Sequence, residues 1–259
     1  MAGRIKSENA APVALFDSGA GGIGVLREVK KLLPSEQLLY FGDAKNAPYG
    51  EKSAQTVREI VLYHAARLLR ECKALVLACN TATAVAVADL RRLYPDRSII
   101  GMEPALAPAL SVCAHPKILV LATAATLRQE KFALLRQKYE KTATVMALPA
   151  PDIVRLVEQG LADSPEMDAY LRTLLAPYKK APPDAIVLGC THFPFAKNAI
   201  RRVMGRDIPF FDGAEGTARE LARRLAARRL LAPPSAVGGI TLTASSPQAL
   251  PLYCSLLSQ

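Results

Sequence analysis

Two stretches decide how this sequence is read: Ala74-Leu75-Val76-Leu77-Ala78-Cys79-Asn80-Thr81 and Ala185-Ile186-Val187-Leu188-Gly189-Cys190-Thr191-His192. Each is a short apolar run that stops at a cysteine followed by polar side chains. Such a run reads as a strand buried on both faces, the form that parallel sheets take in sequence. Counting these two, at 74–78 and 184–188, strands are expected at 12–16, 37–41, 98–102, 117–122, 143–147, 209–211 and 239–243 as well. Helical patterns lie between them. Residues 53–71 carry Val57, Ile60, Val61, Leu68 and Leu69 at helical spacing. Thr126-x-x-Gln129 reads as a capping box opening a helix to about Tyr139, and Gly160 closes a helix that begins near Pro151. Strand–helix alternation of this kind predicts an α/β protein with mainly parallel sheets flanked by helices.

The likeness of the two stretches goes further. Val13-Ala14-Leu15-Phe16-Asp17-Ser18 aligns more loosely with Leu119-Val120-Leu121-Ala122-Thr123-Ala124. Two units of similar size, each with a cysteine at the end of an apolar strand, imply a duplicated, pseudosymmetric architecture. The expected division is 1–102 plus 211–259 for the unit of Cys79, and 103–210 for the unit of Cys190.

Composition limits the classes of function. The chain has 259 residues, 51% of them hydrophobic, enough to bury a sizeable core without disulfides or a metal. No uninterrupted apolar run approaches the ~20 residues of a membrane-spanning helix. The opening residues Met1 to Asn9 lack the apolar core of a secretory signal, so a soluble cytoplasmic protein is expected. Five cysteines without a C-x-x-C spacing, and three scattered histidines, point to reduced thiols rather than a disulfide framework or a metal centre. Cys72, Cys113 and Cys254 read as small buried residues. The formal net charge of +10 is partly local: on a helix expected over 214–230, arginines interleave with Leu221, Leu225 and Leu230. With no Trp in the chain and no aromatic interleaving, this reads as a solvated basic face rather than a nucleic-acid surface.

Three motifs carry chemistry. Gly19-Ala20-Gly21-Gly22-Ile23-Gly24 satisfies G-x-G-x-x-G after a strand, with Asp43 at about the ~20-residue spacing of a dinucleotide fingerprint. An NAD-dependent oxidoreductase is therefore one alternative. Against it, Asp17-Ser18 precede the first glycine, and a carboxylate there would face the pyrophosphate. Lining a pocket for a small ligand is the better use of this turn. The second motif is the cysteine pair itself. Ligands of open α/β sheets bind at the carboxyl ends of strands, and a thiol at a helix N-terminus is more readily ionised. A Cys–His hydrolase would use Cys190 and His192 and leave Cys79 idle; a disulfide oxidoreductase would need the thiols to bond. Stereoinversion at an acidic carbon uses both, one thiolate taking a proton from one face and one thiol delivering a proton to the other. The third motif is the polar loop Gly42-Asp43-Ala44-Lys45-Asn46-Ala47-Pro48-Tyr49-Gly50.

Taken together, Phe16-Asp17-Ser18-Gly19, Tyr40-Phe41-Gly42-Asp43, Pro48-Tyr49-Gly50, Ala78-Cys79-Asn80-Thr81-Ala82 and Leu188-Gly189-Cys190-Thr191-His192-Phe193-Pro194 resemble the glutamate racemases. Glu103-Pro104 and Val157-Glu158 have counterparts there too, and the resemblance covers nearly the whole chain. It implies a cofactor-independent enzyme that supplies D-glutamate for peptidoglycan, with two α/β domains facing each other across the site. By resemblance, Cys79 acts on D-glutamate and Cys190 on L-glutamate. Asp17 assists near Cys79, His192 near Cys190, and Glu158 stands in the surrounding shell. Asp17, Ser18, Pro48, Tyr49, Gly50, Asn80, Thr81, Thr123, Thr191 and His192 are the expected substrate-binding residues. No metal is expected, and a homodimer is. Racemisation of another acidic amino acid such as aspartate is a further alternative. The family's usual Cys-Pro-Leu-Phe-Val-Pro-Leu-Val-Glu is replaced here by the more polar Ala150-Pro151-Asp152-Ile153-Val154-Arg155-Leu156-Val157-Glu158.

Overall fold

Nine strands form, each within two residues of its expected position, in a computed structural model that describes residues 8–259. The stretch 1–7, which carries most of the segment read as lacking a secretory core, lies outside the described residues. The strands are β1 (Val13–Asp17), β2 (Gln37–Gly42), β3 (Ala74–Leu77), β4 (Ser98–Gly101), β5 (Lys117–Ala122), β6 (Thr144–Pro149), β7 (Ala185–Leu188), β8 (Phe210–Asp212) and β9 (Gly239–Ala244). They make two sheets, ordered β4-β3-β1-β2-β9 and β6-β5-β7-β8. Every strand pairing is parallel.

The duplication is visible in that order. Reading outward from the central strand, β2-β1-β3-β4 has the connectivity of β6-β5-β7-β8, and the first sheet gains β9 at the outer edge of β2. In both sheets the strand order reverses beside the first strand of the unit, between β1 and β3 and between β5 and β7. In open α/β sheets such a reversal is where ligands bind, outside the carboxyl ends of the strands.

The central strands are apolar throughout because both faces are covered. In β5 and β7, Leu119, Leu121, Ile186 and Leu188 face a cluster with Ile153, Leu156, Val157 and Ile200. Ile118, Val120, Ala185 and Val187 face the opposite cluster, with Leu106 and Phe132. Side chains that alternate between two buried faces leave no polar positions for a period-2 pattern to show.

By its internal packing the chain divides into two units. The first holds the residues up to Ala47, Ser53–Met102 and Ala214–Gln259; the second holds Pro48–Lys52 and Glu103–Gly213. Relative to the sequence-based division, the short segment Pro48–Lys52 moves to the second unit, and 211–213 move with it. The reason for the first shift is a close approach. A Cβ on Gly50 would lie 3.0 Å from the Cβ of Thr123, so the glycine lets this turn sit against the end of β5.

Other local expectations shift for equally specific reasons. The helix expected from Thr126 is two elements, Ala124–Leu127 and Glu130–Tyr139. Thr123 caps the first by accepting from Thr126 N–H at 3.2 Å, so Thr126 is a capped residue and not the cap. Gly160 closes helix Pro151–Glu158 with φ of +75°, a left-handed conformation that favours glycine. Cys72 is buried, but Cys113 and Cys254 are exposed rather than buried. On helix Ala214–Ala227, Arg219 pairs with Glu215, and Arg223 and Arg224 pair with Glu220. Much of the expected basic face is thus neutralised along its own helix. Among the described residues, no helix is long and apolar enough to cross a membrane.

Candidate active site

In the first unit, candidate residues gather at the carboxyl ends of β1 and β3. Cys79 leaves β3 and serves as the N-cap of helix Asn80–Leu93, whose buried face carries Ala82, Ala86, Val87 and Leu90. Its sulfur accepts from Ala82 N–H at 3.5 Å and donates to Ser18 Oγ at 3.7 Å. A thiol normally caps poorly, but a thiolate at this position would be stabilised by the Ala82 N–H and the positive end of the helix. Asp17, wholly buried at the end of β1, accepts from Gly19 N–H at 2.8 Å through Oδ1. Tyr40 on β2 donates to Gly19 C=O at 2.6 Å and holds the same turn from the other side. Sequence reasoning gave Tyr40 no role in the site. The available signal was that a buried tyrosine hydroxyl must find a polar partner, and the turn after the adjacent strand provides one.

Asn80 is buried, and neither its Nδ2 nor its Oδ1 has a hydrogen-bond partner among the described residues. An amide left so costs stability, about 1–3 kcal/mol for each unsatisfied group. Both of its polar atoms sit in the first turn of the helix that Cys79 caps. Thr81 is buried beside it in the same helical turn.

The glycine-rich turn after β1 also differs from a dinucleotide site. The Gly19 amide is already taken by the Asp17 carboxylate. Gly22 is needed for packing: a Cβ there would come within 2.8 Å of Asp17 Cβ and 3.1 Å of Ala78 Cβ. Gly24 has open space around it. The glycines let a helix start close against β1 and β3, with a carboxylate where a pyrophosphate would need to be.

In the second unit, candidate residues gather at the carboxyl ends of β5 and β7. Gly189 separates β7 from Cys190, and a Cβ there would press on Ala122 Cβ and Leu121 C=O, each at 3.1 Å. Cys190 does not cap an α-helix, in contrast to the helix start expected from its sequence. It opens a tight turn in which Phe193 N–H donates to Cys190 C=O at 3.1 Å, followed by a 3-10 turn, Phe193–Ala196. Its support is a side chain instead. Cys190 Sγ lies 3.7 Å from His192 Nδ1, and His192 Nε2 lies 2.5 Å from Glu158 Oε1. Burial alone would lower the His192 pKa; the hydrogen bonds to Cys190 and Glu158 and the negative charge on both outweigh it. The imidazole is held well above the usual histidine range. The charged ring thus stands between the Glu158 carboxylate and the Cys190 sulfur.

Glu158 reaches this position because helix Pro151–Glu158 buries Ile153, Val154, Leu156 and Val157, leaving its last residue at the strand ends. The polar changes in this stretch, Asp152 and Arg155, pair with each other at 3.2 Å on the solvent side. The Glu158 register is therefore untouched by them. Thr191 is buried between Cys190 and His192. The Pro48-Tyr49-Gly50 turn, with Tyr49 buried, lies with Thr123 in this second unit rather than with the first-unit residues beside which its sequence position had placed it. Residues expected in the site thus fall into two groups: Asp17, Ser18, Cys79, Asn80 and Thr81 in the first unit, and Pro48, Tyr49, Gly50, Thr123, Glu158, Cys190, Thr191 and His192 in the second. No group of three or more Cys, His, Asp or Glu suited to a metal ion occurs among the described residues.

Comparison with known proteins agrees in sequence and in fold. The family model for Asp/Glu/Hydantoin racemase matches residues 24–221. A glutamate racemase of Clostridium perfringens (strain SM101) is 45% identical over 216 residues, 83% of each chain. Another, of Clostridium acetobutylicum, is 46% identical over 215 residues, 83% of this chain and 84% of that one. Among solved structures, Escherichia coli glutamate racemase in complex with L-glutamate and the activator UDP-MurNAc-Ala matches with a TM-score of 0.82 at 30% identity, covering 96% of this chain and 94% of that one. Identity of this degree over most of both chains extends past the fold to the sequence itself, and the chain belongs to the glutamate racemases, within the Asp/Glu/Hydantoin racemase family.

Proposed function

We propose that the chain interconverts L- and D-glutamate without a cofactor, with Cys79 and Cys190 acting on opposite faces of the α-carbon. The observation that carries this reading is the pair of buried thiols at equivalent strand ends, Cys79 with the Ala82 N–H at its sulfur and Cys190 with the His192 ring at its own. From L-glutamate, the Cys190 thiolate removes the α-proton while the Cys79 thiol delivers a proton to the other face. One C–H bond breaks, one forms, and the two sulfurs exchange protonation states. The site is then set for the reverse reaction from D-glutamate. His192, kept cationic by Glu158, stands beside the Cys190 sulfur and assists there; Asp17 assists on the Cys79 side. Ser18, Pro48, Tyr49, Gly50, Asn80, Thr81, Thr123, Thr191 and His192 hold the substrate. The unpartnered Asn80 amide supports this role, since its donor and acceptor suit a carboxylate and an ammonium. In the cell the product D-glutamate enters peptidoglycan synthesis, and the enzyme works in the cytoplasm as a homodimer.

The test is direct. Purified protein with L-glutamate and no added cofactor should drive the circular dichroism signal of the substrate to zero, and L-aspartate should respond far more slowly. In deuterium oxide, newly formed enantiomer should carry deuterium at the α-carbon while early unreacted substrate stays protiated. Activity that requires NAD, or a product that retains the original hydrogen, would overturn the two-thiol reading.

A further inference from the structure

Thr83 stands four residues after Cys79, on the buried side of the same helix. Its hydroxyl donates to Leu77 C=O at 3.1 Å and accepts from Met102 N–H at 3.0 Å. Its own N–H donates to Cys79 C=O at 2.9 Å. One buried side chain therefore ties the last residue of β3, the chain just past β4 and the first turn of the helix to one another. The methyl group is as closely placed as the hydroxyl. A Cβ on Gly101 would come within 2.6 Å of Thr83 Cγ2, so the glycine at the end of β4 is the slot that receives it. In the second unit the position four residues after Cys190 is Pro194, which has no hydroxyl to make such ties.

We propose that Thr83 is a positioning residue for the reaction, holding the turn 77–83 so that Ala82 N–H is aimed at the Cys79 sulfur. The proposal rests on Cys79 being one of the two proton-transfer groups, but the geometry it invokes stands apart from racemisation. Without the hydroxyl, Met102 N–H loses its acceptor and the Ala78-Cys79 turn loses its tie to β4. The sulfur then loses the aligned N–H that stabilises its ionised form. Because the hydroxyl makes no contact with the sulfur, its effect passes through the backbone turn.

The experiment compares Thr83→Val, which removes the hydroxyl and keeps the shape, with Thr83→Ser, which restores it. Gly101→Ala is an independent disturbance that crowds the methyl slot and leaves the hydroxyl in place. Each folded variant is treated with iodoacetamide at neutral pH, and alkylation of Cys79 and Cys190 is followed separately by peptide mass spectrometry. Thr83→Val and Gly101→Ala should slow Cys79 alkylation about threefold to tenfold and leave Cys190 unchanged; Thr83→Ser should restore the Cys79 rate. Racemisation by Thr83→Val should show kcat reduced about tenfold or more, with KM within about twofold, as for a misplaced reacting group. If Thr83→Val does not fold, Gly101→Ala and Thr83→Ser carry the test by the same readout. Cys79 alkylation that is unchanged, or that changes equally at both cysteines, would overturn the role of Thr83. Failure of wild-type racemisation alone would overturn the function and leave this positioning to stand or fall on the alkylation result.

Discussion

The two halves of the molecule place a cysteine at the same point of the same topology and then support it by different means. Cys79 follows β3, caps a 14-residue helix and takes its stabilisation from backbone amide and helix end. Cys190 follows β7, caps no α-helix and has His192, itself paired with Glu158, at its sulfur. The difference teaches that a duplicated fold preserves where a cysteine stands more strictly than what surrounds its sulfur. Strand order and strand length set the position. The local turn is free to choose between a dipole and a cation.

The largest effect should come from removing either sulfur. Cys79→Ala and Cys190→Ala should each lose racemisation in both directions, by about 100- to 10,000-fold or more, since positioned acid–base groups are typically worth that much. Measured as circular dichroism decay from L- and from D-glutamate, near-normal activity in either folded variant would break the symmetry of roles between the halves.

The next effect belongs to one half only. Glu158→Gln removes the carboxylate that holds His192 cationic, and should lower kcat/KM while leaving Cys79 alkylation unaltered. It also has a pH signature. The folded His192 pKa is raised, so the stability it contributes is fully present below the ordinary histidine pKa and is lost as pH rises through the folded value. Urea unfolding across pH 6 to 9 should therefore show a stability decline in wild type that is shallower in Glu158→Gln. An identical decline in both would mean that Glu158 does not hold the ring charged.

A third comparison concerns stability rather than chemistry. The first unit contains a buried ion pair, Lys73 Nζ to Glu36 Oε2 at 2.6 Å, with both side chains almost wholly enclosed. Lys73 also donates to Asn9 C=O at 2.7 Å, and Glu36 Oε1 accepts from Ala232 N–H at 2.8 Å. At the start of the matching strand in the second unit, Asp184 merely accepts from Lys117 N–H near the surface. Glu36→Gln leaves a buried ammonium without its counter-charge and should cost about 3–5 kcal/mol, read from the urea midpoint.

The smallest effect separates the glycine turn from a nucleotide fingerprint. Gly24→Ala has open space and sits in a helix, so it should be neutral or stabilising by about 0.5–1 kcal/mol, with racemisation unchanged. Gly22→Ala, which crowds Asp17 and Ala78, should be destabilising in the same thermal melts.

The strands were legible from sequence because burial on both faces leaves an unbroken apolar run, and a run that ends in cysteine and polar residues marks the carboxyl end where ligands bind. The same reasoning placed Cys79, Cys190, Asp17 and Ser18 at strand ends. It could not show that Cys190 lacks an α-helix to cap. A tight turn such as Cys190 to Phe193 depends on Gly189 packing against Leu121 and Ala122, residues far away in the chain. Nor could it bring Glu158 to His192 or the Pro48–Lys52 turn to Thr123. Local sequence determines periodicity, capping and turns, because those energies act between neighbours along the chain. Which thiol meets a helix start and which a histidine is set by contacts across many residues, and only the packed tertiary structure decides those.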